Sequence, residues 1–365
     1  MTAKNHLPVL DGIRAIAVLM VICFHFWKGF SGANNLVGKA AVWGQTGVDL
    51  FFVLSGFLIT GILLESKGSH HFLRNFYVRR ILRIFPLYYA TLLVIYLVGP
   101  LLHLNDWTPW KQQVWFWVYL QNILLTFAPS LVAGPNHFWS LAVEEHYYLF
   151  WPFLVMLLDR NRLLRAIGLA IAVSLLSRVV FWQYGTFYFT LSRLDGLAIG
   201  SALAIYARRP EGLGRFIRPA KILLCVLAPA LAIMQLALSG QGLVTIQVGK
   251  NTLIALIYAS VLVLAIENQF GRGVAKLLGS RVLGSVGKYS YAMYVFHPFL
   301  LSWLHDAGLP YGIFGLLVSI LLTYLAAAAS WMLVEKRVLR LKQYFEYDSS
   351  LPSRPFTSRF AAPVS

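Results

Sequence analysis

Acid is the scarcest class of side chain in this sequence. Only 14 Asp and Glu stand against 31 Lys and Arg, and charged residues of both signs make up 12% of 365, about half the share of a soluble domain. That excludes an ordinary soluble enzyme. With 58% hydrophobic residues and a mean hydropathy of +0.67, the composition specifies an all-α, polytopic membrane helix bundle. Cysteine is nearly absent: Cys23 and Cys225 each fall within an apolar run and read as small hydrophobes, which excludes a disulfide framework. HExxH and CxxC are missing, and His70-His71 lies in a loop, so no metal site is expected. Walker and dinucleotide fingerprints are missing too, as are fixed-period repeats and any soluble domain flanking the bundle.

What is present is a series of apolar runs. At about 20 apolar residues per crossing, spans are expected near 9–28, 43–64, 85–104, 138–158, 165–182, 187–207, 221–239, 247–266, 285–304 and 311–334. The shorter run 112–127 is left inside an external loop, 105–137, whose course can re-enter the membrane. With that choice most Lys and Arg collect on one face, and only Lys28, Lys39, Lys111 and Lys250 fall on the other. The bias predicts both termini cytoplasmic, and the inner membrane is the expected location. It also explains the formal charge of +17 without nucleic acid, which is not an expected partner; membrane lipids are. The membrane domain is expected over 1–342, with a Ser- and Pro-rich cytoplasmic tail over 343–365 expected to lack structure.

The spans are not uniformly apolar. Asp11, Arg14 and His25 fall within about 60° of one another around the first helix, with His25 about 16 Å above Arg14. Counting inward from the span ends puts Asp49, Glu144, Glu145, Arg193, Asp195 and His297 in the outer half of the bundle. Ionisable groups at such depth mark a functional site by default. On the inner side, Arg79, Arg80 and Arg83 form a short amphipathic segment ahead of the third span, Arg80 and Arg83 on one face. Guanidinium forks of this kind suit a phosphate-bearing ligand. Basic loops also set topology, and that reading of the arginines stays open.

Five blocks in this order, "LDGIRAIAVLMVICFH", "GVDLFFVLSGFLIT", "FYVRRILRIFPLYY", "FWSLAVEEHYYL" and "GKYSYAMYVFHPF", carry a resemblance. The chain resembles the acyltransferase family 3 membrane proteins, the O-antigen acetylase-like enzymes. The resemblance implies an acyl-CoA donor, usually acetyl-CoA, on the cytoplasmic face and a carbohydrate or glycoconjugate hydroxyl as external acceptor. It implies that Arg14 and His25 are essential and that Arg80 and Arg83 serve the donor. His146 departs from the Gln expected after the paired acids, and the absence of an appended hydrolase-like domain favours the single-module type.

Acyl transfer from a thioester needs a base for the acceptor hydroxyl and positive charge for the oxyanion. His25 is the expected base, oriented by Glu144; a covalent acyl-His relay is equally compatible. Arg14 either steers the donor or pairs with Asp11, and Ser140, four residues before Glu144, is expected to orient that carboxylate. Glu145 is expected to pair with Arg178 or Arg193. Asp195 and His297 either line the acceptor pocket or satisfy each other, and Trp139 belongs either to an aromatic belt or to a sugar-stacking surface. Gly56, Gly61, Gly196 and Gly200 are expected at close helix crossings. A transporter or flippase is the competing class, but it predicts internal repeats or paired broken helices that the sequence does not carry.

Overall fold

The computed structural model describes residues 7–30, 41–103, 105–237, 244–310 and 312–347, and among these it is helical with no strand. The tail 348–365 and Lys39 lie outside the described residues. The helices are α1 Pro8–Phe30, α2 Gly47–Ser66, α3 Phe72–Leu93, α4 Trp110–Trp117, α5 Gln121–Phe127, α6 Trp139–Leu157 and α7 Arg160–Val180. They continue as α8 Leu194–Ala207, α9 Ile217–Ala237, α10 Val244–Ile266, α11 Arg272–Leu278, α12 Arg281–Asp306 and α13 Ile313–Ser330.

Each expected span overlaps a helix, and 112–127 folds as two short helices, α4 and α5, neither long enough to cross. Among the described residues, six helical stretches are both long and apolar enough to span a membrane: 8–28, 42–66, 72–101, 160–180, 248–266 and 313–345. Two boundaries move, for physical reasons. The segment carrying Arg79, Arg80 and Arg83 is not separate from the third span but forms the first turns of α3, which runs on through a π-helical stretch, Val94–Val98, to Leu101. Pro86 lies inside α3 without ending it, at the loss of one helical hydrogen bond. The expected span 187–207 contains only the 14-residue α8, about 21 Å long, because Gly185 turns the chain at φ +65° and a short 3-10 turn precedes the helix.

α2 and α8 make the tightest crossing. A Cβ on Gly56 would overlap the carbonyl of Leu197, and one on Gly200 would overlap that of Val53, so both positions need glycine. Gly196 faces the Phe52 side chain and Gly61 the guanidinium of Arg208. α1 lies beside α12, where Gly287 meets the backbone of Asp11. These close contacts fix α1, α2 and α12 around one cavity, with α3 and α6 completing its wall.

Candidate active site

The cavity holds about 740 Å³, within the range of small-molecule sites. α1 contributes Asp11 and Arg14, α2 Ser55 and Glu65, α3 Arg79, Arg80 and Arg83, and α6 Ser140, Glu144, Glu145 and Tyr148. α12 adds Lys288, Tyr291 and Tyr294, and the chain after α13 adds Lys342, Glu346 and Tyr347. With Arg208, just after α8, seven cations face five carboxylates, so the cavity favours an anion.

Two of the cations are neutralised locally. Arg14 donates to Asp11 at 2.8 Å, the intrahelical pair that the spacing allowed, while its charge also acts on Glu144. Arg208 pairs with Glu65. Arg80 lies over the ring of Tyr148 at 4.6 Å, and Tyr148 donates its hydroxyl proton to Glu144 at 2.9 Å. Arg83 lies over the ring of Trp331 at 5.7 Å and feels the charge of Glu335. Arg14, Arg80, Arg83, Glu144 and Ser140, expected at two levels of the bundle, thus line one cavity.

Glu144, however, does not orient His25. That partner is His297: its Nε2 lies 3.2 Å from Nδ1 of His25. Carbonyl contacts fix the tautomers, since a carbonyl can only accept. Nδ1 of His297 sits 2.7 Å from the carbonyl of Tyr294, so it carries the proton and leaves Nε2 with a lone pair. Nδ1 of His25 sits 3.0 Å from the carbonyl of Val21, so it too carries a proton, shared between that carbonyl and His297. The basic lone pair of His25 is therefore on Nε2. His297 is fully buried and is absent from the cavity wall, so it acts here as an orienting partner.

Tyr294 joins the histidine pair to the cavity. Its hydroxyl donates to the carbonyl of His137 at 2.7 Å and accepts from Ser140 at 2.6 Å, while its ring lies 5.5 Å from that of His297. Ser140 thus serves Tyr294 rather than Glu144. His137, in the turn before α6, donates from Nε2 to the carbonyl of Val295 at 3.1 Å. Burial pushes its pKa down to about 3, so it stays neutral. Sequence reasoning missed Tyr294 and His137. The i, i+3 spacing of Tyr294 and His297 was a usable signal for the first.

Asp195 and Trp139 lie elsewhere. Asp195 accepts from Arg178 and from the Thr252 hydroxyl, each at 2.5 Å, not from His297. Arg193 pairs with Asp49 at 2.7 Å, and its guanidinium is surrounded by Phe52, Trp139 and Phe187. Both expected partners of Glu145 are thereby taken, and its buried Oε1 has no hydrogen-bond partner. Trp139 is 6% exposed and belongs to this ion-pair layer, so it is neither an interfacial belt residue nor part of the cavity wall. The reason is common to all three: which helix faces which was not legible in the sequence. Among the described residues no cluster of His, Cys, Asp or Glu could hold a metal.

The site is thus an anion-favouring cavity inside a helix bundle, linked by one tyrosine to an oriented histidine. The chain belongs to acyltransferase family 3, whose acyltransferase domain matches residues 7–335. It is 32% identical over 232 residues to the peptidoglycan O-acetyltransferase OatA of Listeria monocytogenes, covering 55% of this chain and 34% of OatA. To YrhL of Bacillus subtilis, named as a candidate peptidoglycan O-acetyltransferase, it is 35% identical over 231 residues, 55% of this chain and 33% of YrhL. A candidate O-acetyltransferase of Staphylococcus aureus is 28% identical over 360 residues, 91% of this chain and 57% of that protein. The chain therefore spans from about a third to just over half of these relatives' lengths. No solved structure matches it significantly.

Proposed function

We propose that this protein transfers an acyl group, by default acetyl, from acyl-CoA to a carbohydrate hydroxyl on the far side of the membrane. The donor's phosphates lie at the arginine end of the cavity, at the cytoplasmic face of the inner membrane, where both termini also lie. The acceptor approaches from the external side. The observation that carries the reading is the excess of positive charge in a cavity whose wall, through Tyr294, touches the His25–His297 pair. The peptidoglycan acetylation named for the Listeria relative supports a polysaccharide acceptor.

His25 accepts the acceptor's hydroxyl proton at Nε2, and the hydroxyl oxygen attacks the thioester carbonyl carbon. The new C–O bond replaces the C–S bond, and the departing thiolate takes the proton from the imidazolium. While His25 is charged, its Nδ1–H points at the Nε2 lone pair of His297, which stands where a triad places its acid. Arg14 and the Tyr148–Glu144 pair hold the thioester end of the donor.

The test is titration of the detergent-purified protein with acetyl-CoA. Wild type binds, and Arg80→Gln or Arg83→Gln weakens binding about tenfold, the loss of one charge-assisted contact. Absence of binding by wild type, or equal affinity in all three proteins, contradicts the donor assignment.

A further inference from the structure

After α13 the chain makes a π-helical stretch, Trp331–Glu335, a short helix, Lys336–Leu339, and a 3-10 turn, Arg340–Phe345. The match to the acyltransferase domain ends at residue 335, the last of the π-helical stretch, so the rest of the segment lies beyond it. It does not leave the bundle. Arg79 donates to the carbonyls of Phe345 at 3.2 Å and Lys342 at 3.4 Å, and Asn75 donates from its side chain to the carbonyl of Glu346 at 2.9 Å. Arg74 lies over the ring of Phe345 at 5.9 Å and Arg79 over that of Tyr347 at 5.7 Å. The first turns of α3 thus strap residues 342–347 across the arginine end of the cavity.

The strap brings one more cation into a site already crowded with them. Lys342 lines the cavity, and its electrostatic neighbours are Arg79, Arg80 and Arg83, all of its own sign. Among the described residues Lys342 forms no ion pair within 4.0 Å, whereas Arg83 has Glu335 and Arg80 has Glu144 and Glu145 nearby. Four like charges held together cost free energy unless an anion bearing several charges joins them. A single carboxylate is too little for such a cluster; phosphate esters supply two or more charges each.

We propose that Lys342 is a phosphate-binding residue of the donor site, held there by the contacts of Arg79 and Asn75 with the strap. The inference rests on the acyl-CoA reading above. Arg79 then differs in role from Arg80 and Arg83: it positions the strap, and Lys342 binds in its place. Donor recognition consequently extends beyond the segment that the family's domain covers.

Titration with CoA and with pantetheine, which lacks the phosphates, tests this. Lys342→Gln is expected to weaken CoA about tenfold and leave pantetheine unchanged, while Lys342→Arg restores CoA. Asn75→Ala, which frees the strap at Glu346, is expected to weaken CoA severalfold with pantetheine again unchanged. Equal weakening of both ligands means a structural role and overturns the proposal, as does undiminished CoA binding in Lys342→Gln. Phosphatidylglycerol vesicles separate the other source of phosphate: if the variant loses these and keeps CoA, the site serves a lipid headgroup and the proposal falls. If wild type binds pantetheine but not CoA, Lys342 has no phosphate to bind and the proposal fails alone. If wild type binds neither, the donor reading fails first.

Discussion

His25→Ala is expected to lower acetyl transfer by about 10²–10⁴-fold, the contribution of a positioned general base, while acetyl-CoA binding stays at the wild-type level. The split follows from geometry. The imidazole is absent from the cavity wall and is held by Val21 and His297, so its loss removes no donor contact. Transfer and binding assays on the same preparation check it. A variant that binds and still transfers at the wild-type rate would remove His25 from the mechanism. His297→Ala should lie between the two, because the imidazolium loses its partner at Nδ1 while the Val21 carbonyl still holds the ring.

The largest loss of stability is expected at the ion-pair layer between α7, α8 and α10. Arg178 and Asp195 are 3% and 4% exposed, and Thr252 and the Ser192 carbonyl complete their hydrogen bonds. Asp195→Ala leaves a guanidinium buried without its counter-charge, at a cost of about 3–5 kcal/mol. Thermal unfolding in detergent should show a clearly lowered midpoint, and activity should fall only as far as folded protein is lost. Arg162→Ala is the comparison. Its partner Asp159 is solvent-exposed, and an exposed pair contributes little, so its midpoint should barely move. An Asp195→Ala protein with wild-type stability and no activity would instead make Asp195 part of the site.

Several features of this site were legible in sequence because they lie on one helix. Arg14 and Asp11 are three residues apart, as are Arg80 and Arg83, and helix periodicity alone puts each pair on one face. Apolar runs located the helices, since lipid demands them. The pairings between helices were not legible. Hydropathy does not show the neighbour a residue turns toward, so the sequence points His25 at Glu144 rather than at His297, 272 positions away. The same blindness put Glu145 with Arg178 or Arg193. Lys342 was hidden differently: in a basic segment after the last span it reads as a topology signal, and only its contacts with α3 turn it back over the cavity.

The most direct test is transfer itself. Membranes carrying the wild-type protein are supplied with acetyl-labelled acetyl-CoA and cell-wall glycan, and alkali-labile label is measured in the glycan. The account predicts labelled O-acetyl ester that depends on the protein and on acetyl-CoA. If the glycan stays unlabelled while the purified protein binds acetyl-CoA, the carbohydrate acceptor is contradicted; if acetyl-CoA is neither bound nor consumed, the central claim is.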